Sequence, residues 1–165
     1  MVLQANPASF FRVGEAALTR NIALIAGGLL SAAASLLHVA CIFGGPAWYR
    51  FFGAGEGVAQ AAERGEILPA LMTAGIAAIL AIWAAYAFSG AGLLPRLPLL
   101  RTGLVVISAI YLLRGLVLIP ALLINRGEVM PFVLWSSLIV LTYGLAYAIG
   151  TWTAWPVLKV RTAET

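Results

Sequence analysis

One arginine stands in an unexpected place. Residues 103–125, GLVVISAIYLLRGLVLIPALLIN, are long and apolar enough to cross a bilayer, yet Arg114 sits at their middle. It lies 11 residues from either end, roughly 16 Å at about 1.5 Å per residue, which is the bilayer midplane. A guanidinium there costs on the order of 2.5–3.5 kcal/mol by insertion scales, so something must offset it. An anionic ligand group or a proton-linked carboxylate would do so. A structural charge satisfied by helix carbonyls, tyrosine hydroxyls or a glutamate would do so equally. No acidic residue lies inside any apolar run, so a carboxylate partner must come from a loop. Glu56 is the first candidate, because Gly55 and Gly57 on either side permit close backbone approach.

His38 is the only histidine. It suits an acid, a base or a hydrogen-bonding partner near one mouth of the helices, and it equally suits a bonded core position. If Glu56 enters the bundle, His38, Glu56 and Arg114 converge on a polar pocket with Tyr111 and Tyr143. Such a group could run a proton transfer, with His38 or Glu56 as base and Arg114 stabilising developing negative charge. Trp48, in the run Trp48-Tyr49-Arg50-Phe51-Phe52, reads first as an interface anchor and is the aromatic candidate for ligand contact. His38 and Cys41 share a face, but no further soft ligand accompanies them, so no metal and no cofactor are expected. With Cys41 alone, no intrachain disulfide can form, and it reads as a small buried hydrophobe. The sequence carries no nucleotide loop, nucleophile elbow, zinc signature or redox pair.

These residues need a scaffold, and composition names its class. The 165 residues are 62% hydrophobic with only 10% charged, and their mean hydropathy is +1.00. A soluble fold of this size could not hide so much apolar surface. The chain is therefore expected to be an integral membrane protein of one domain. Its net charge of +4 reads as topology and attraction to anionic headgroups, not as nucleic-acid binding.

The hydropathy pattern predicts an all-α, antiparallel four-helix transmembrane bundle. An interfacial segment covers residues 1–20, with a short helix over 9–19 capped by Ser9. Spans follow at about 21–43, 67–88, 103–125 and 130–155. In the first span, Gly28, Ser31, Ser35, His38 and Ile42 fall on one face, where small residues let another helix approach. Gly44-Gly45-Pro46 ends that span, and an outer loop over 44–66 follows. Within it a short helix is expected over 55–64, with Glu56, Gln60 and Glu63 on one side and Val58, Ala61 and Ala62 opposite. It should lie over the bundle as a cap or dip into it. Pro69 opens the second span in its first turn. Tyr111, Leu118 and Ala121 share a face of the third, and Pro120 kinks it. Asn125-Arg126-Gly127 makes a tight reversal. Ser136, Val140, Tyr143, Tyr147 and Thr151 form a polar-flecked stripe on the fourth. Six basic residues at one set of helix ends against three at the other place both termini in the cytoplasm. Arg64-Gly65-Glu66-Ile67-Leu68-Pro69 returns as Arg126-Gly127-Glu128-Val129-Met130-Pro131. That echo is either the relic of a duplicated hairpin or one good way of starting a helix, used twice.

With His38 near the outer end of the first span, followed by Gly44, Gly45 and Trp48, the chain resembles small, functionally uncharacterised four-helix inner-membrane proteins of bacteria. It is distantly similar in size and layout to DoxX-type proteins. The resemblance implies a four-helix bundle in the inner membrane and no particular activity. The four-helix sterol isomerases share the span count, but their intramembrane acids have no counterpart in these spans. Three functional classes follow as expectations. The preferred one is a membrane protein whose polar pocket around Arg114 binds a lipid-like or small amphipathic ligand, with Tyr111, Tyr143, His38, Glu56 and Trp48 in contact. The second is an isomerase or hydrolase-like enzyme using His38, Glu56 and Arg114. The third is an accessory subunit whose small-residue face packs on a partner membrane protein or on another copy.

Overall fold

Asn21 starts the first helix and ties it to the last. Its side-chain oxygen accepts from the Leu24 N–H at 3.0 Å, capping helix α1 (Ile22–Phe51). Its amide donates to the Gly150 carbonyl at 2.7 Å and to Thr153 Oγ1 at 2.9 Å, both on the final helix. The computed structural model describes residues 21–116, 119 and 131–160. The helix predicted at 9–19, the end of the third span with Pro120, the reversal at 125–127 and the second copy of the echo up to residue 130 lie outside those residues. Among the described residues the chain is all-helical: α1, α2 (Glu56–Glu63), α3 (Leu68–Gly90), α4 (Leu100–Leu116) and α5 (Pro131–Val160). Three of these, α1, α3 and α5, are long and apolar enough to cross a membrane. Many of their large apolar residues face outward, Phe43 being 86% and Trp152 83% exposed.

The break predicted at Gly44-Gly45-Pro46 occurs, but it does not end the helix. Gly45 leaves helical geometry at φ 65°, ψ −152°, and the helix resumes to Phe51. Glycine reaches that positive φ without strain, and Pro46 has the fixed φ suited to a first helical turn. The aromatic run Trp48–Phe52, predicted as loop, is therefore helical through Phe51. The short helix predicted at 55–64 forms as α2, and it does act as a lid on one end of the α1–α3 pair. Ala59 is fully buried against Cys41 and Tyr49, with Val58 and Ala62 packed around them.

Small residues set how closely the long helices approach. A Cβ added at Gly28 would stand 2.7 Å from the Phe88 ring, and one at Gly150 would stand 2.8 Å from the Leu24 backbone nitrogen. One at Gly115 would meet Leu141 Cα at 2.9 Å, and one at Gly144 the Leu112 nitrogen at 2.9 Å. Contacts along α1 and α3 run in opposite sequence directions: Gly28 meets Phe88, the Ser35 hydroxyl donates to the Ala77 carbonyl at 2.7 Å, and Tyr49 meets Thr73 at 3.4 Å. Along α4 and α5, Leu112 meets Gly144 and Gly115 meets Leu141, again in opposite directions. The stripe predicted on α5 is one residue out of phase at its start. Ser137, not Ser136, is fully buried, while Ser136 bonds back to the Val133 carbonyl at 3.2 Å. Steps of three and four drift against the 3.6-residue turn, so the stripe's phase changes along its length.

Candidate functional site

Four helices share one polar knot. Ser31 Oγ on α1 lies 2.9 Å from the hydroxyls of both Tyr111 on α4 and Tyr147 on α5. Tyr147 donates onward to the Trp83 carbonyl on α3 at 2.9 Å. The Tyr111 ring stands edge-on to Trp83 at 4.8 Å and to Tyr143 at 5.5 Å, in the T-shaped geometry that aromatic pairs prefer. Gly27 gives Tyr147 the room it needs, since a Cβ there would come within 2.9 Å of the ring. Tyr111 and Tyr143, named from sequence as pocket residues, are thus brought together, but as packed core.

The other sequence candidates are not gathered around them. Glu56 is paired with Arg50, whose Nη2 donates to its carboxylate at 2.8 Å, while Nη1 donates to Glu63 at 2.7 Å. The expected Glu56–Arg114 pair is therefore replaced by a pair within the cap. The positive-φ glycines Gly53 and Gly55 turn the chain back so that α2 begins beside the end of α1. The bond to Arg50 and its charge hold the carboxyls of Glu56 and Glu63 below the usual carboxylate range. Arg114 is exposed, and the described residues give it one hydrogen bond, from Nη1 to Ser137 Oγ at 3.4 Å. His38 is half-buried, and its Nδ1 donates to the carbonyl of Ala34 in its own helix at 2.7 Å, which fixes the ring. Trp48 stacks toward Phe52, 5.8 Å between centroids, and lines a shallow surface hollow with Ala47 and Phe51.

A larger concavity lies elsewhere. A groove of about 680 Å³ runs between α4 and α5, lined by Val105, Ala109, Leu112, Ala148, Trp152 and Pro156 among others. It is almost wholly apolar. Thr151 also lines it, and its buried Oγ1 has no hydrogen-bond partner among the described residues. At Val105 and Trp155 the groove meets a second hollow of about 570 Å³, which is markedly more polar. That hollow holds Arg96, Arg101 and Thr102. Sequence reading placed Arg96 and Arg101 at a membrane surface but missed the groove, because Trp155 lies more than 50 residues from Arg101 and only the pairing of α4 with α5 joins them.

Among the described residues, no group of three His, Cys, Asp or Glu side chains could hold a metal ion. Three apolar helices in an all-helical chain fit a multi-pass membrane protein. Compared with protein-family models, with curated proteins and with solved structures, the chain shows no match.

Proposed function

We propose that this chain is an antiparallel four-helix transmembrane bundle of the bacterial inner membrane, with both termini cytoplasmic, that binds a lipid-like or small amphipathic molecule. The likeness to small four-helix inner-membrane proteins belongs to the same proposal. The observation that carries it is the apolar groove between α4 and α5. It has the size and lining of a ligand site, and it opens on the surface that would face lipid. The excess of basic residues near both termini supports the orientation.

The site of binding differs from the first expectation. Arg114 is two residues beyond Leu112, the far end of the groove lining, so it is at most an end-stop for the ligand. The enzyme reading has less support, because Glu56 is committed to Arg50 and His38 donates within its own helix.

Native mass spectrometry of the protein extracted with its lipids tests the proposal. A defined adduct is expected on the unmodified protein and on Arg114→Ala. Ala109→Phe, which puts a ring into the groove, is expected to lose it. An adduct that survives Ala109→Phe but disappears in Arg114→Ala would return the site to Arg114. A bare protein throughout would sink the binding reading.

A further inference from the structure

The polar hollow at the end of the groove is built around an arginine that the described part of its own chain leaves unsatisfied. Arg101 is half-buried, and its guanidinium carbon lies 4.2 Å from the centroid of the Trp155 ring. That cation–π contact holds the guanidinium against the ring. Its Nε is wholly buried without a hydrogen-bond partner among the described residues. No acidic side chain among those residues pairs with it. The ion pairs there involve Arg50 and Arg64, both in the cap region. Arg96 adds a second positive charge to the same hollow, held in place by donating to the Leu158 carbonyl at 2.7 Å. The exposed Thr102 adds a hydroxyl.

Length makes this hollow the head of the apolar groove. From Arg101 to Leu112 is 11 residues, about 16 Å along α4. Half of a bilayer's hydrocarbon core is about 15 Å, so the groove reaches from one interface to the midplane. Positive charge at the interface and an apolar trough one leaflet deep complement an anionic amphiphile. Thr151 lies one turn, about 6 Å, deeper than Trp155, where ester oxygens follow a phosphate.

We infer that Arg101, Arg96 and Thr102 bind the phosphate of an anionic glycerophospholipid whose acyl chain lies in the α4–α5 groove. This rests on the ligand-binding reading above and names its ligand class. Arginine suits the role because its planar fork meets phosphate oxygens through two parallel charge-assisted hydrogen bonds.

The test uses the full chain in detergent, titrated with phosphatidylglycerol and, separately, phosphatidylcholine, read by native mass spectrometry. The unmodified protein is expected to prefer phosphatidylglycerol by about thirtyfold, the size of effect two interfacial arginines supply at about 1 kcal/mol each. Arg101→Gln is expected to remove most of that preference. Arg96→Gln should reduce it in part, and it guards against an Arg101 variant that fails to fold. Ala109→Phe is expected to weaken both lipids. If both lipids bind equally, Ala109→Phe abolishes both and neither arginine variant matters, the groove binds lipid but the headgroup assignment is overturned. If inorganic phosphate displaces phosphatidylglycerol while Ala109→Phe leaves binding intact, the site takes free phosphate and the assignment is also overturned. If neither lipid binds, the ligand-binding reading itself fails. Replacing Glu15 and Glu164 with Gln covers a partner from this chain's own ends. Lipid preference that is absent in the unmodified protein and emerges only in that variant would overturn the assignment.

Discussion

Two ends of this molecule each hold an arginine, and they treat it differently. In the cap, Arg50 meets Glu56 and Glu63 within its own chain, and all three side chains are well exposed. At the α3–α4 linker, Arg101 is half-buried on Trp155, beside Arg96, with no acid among the described residues. In the cap, the arginine is satisfied by acids of its own segment. The linker end concentrates positive charge at the mouth of an apolar trough. A local ion pair of the first kind contributes little to stability, because solvent screens it. An arrangement of the second kind is the one that points to a ligand.

The contrast can be broken most forcefully at the helix pair that forms the trough. Gly144→Val puts methyl groups against the Leu112 backbone and is expected to cost about 1–3 kcal/mol. Thermal unfolding in detergent should show the loss, with lipid binding falling in parallel. Hydrogen exchange in α2 should stay unchanged. If the cap loosens as well, the two ends are not independent. Tyr147→Phe removes the hydroxyl that joins Ser31 to the Trp83 carbonyl and is expected to cost about 1–2 kcal/mol. It acts midway between the ends, so both should lose stability together. Ser35→Ala deletes one hydrogen bond to a carbonyl in α3, and a loss near 0.6 kcal/mol is the expectation in a membrane bundle.

The smallest effect belongs to the cap. Glu56 and Glu63 titrate below the usual carboxylate range because Arg50 favours their charged forms. What the pairs contribute is therefore present above the ordinary carboxylate pKa and is lost as pH falls through the lowered values. Acidification should raise hydrogen exchange in α2 while global unfolding barely moves, and Arg50→Gln should abolish that pH dependence. A large pH-dependent change in global stability would show that the cap matters more than its exposure suggests.

Much of this layout is legible in the sequence because it is periodic. The apolar runs mark the long helices, and the Gly28-Ser31-Ser35 face is buried as its spacing predicts. In the short helix Val58 and Ala62 turn inward as the pattern predicts, but the fully buried residue is Ala59, which the pattern does not single out. What escapes is whatever depends on two elements meeting. Glu56 reaches Arg50 only because Gly53 and Gly55 reverse the chain. The run after Pro46 holds the composition of an interface loop, yet it continues as helix once Gly45 has absorbed the break. Arg101 and Trp155 become neighbours only when α4 and α5 pair, and no local pattern announces that pairing.

Ser31 carries a consequence for how the protein is made. Its two tyrosine partners lie 80 and 116 residues later in the chain. The ribosome delivers α1 before either of them, so 80 residues must follow before the first partner of this hydroxyl exists and 116 before the second. Only delivery of α5 closes the knot. The central bonds are thus complete only once the last helix has been made.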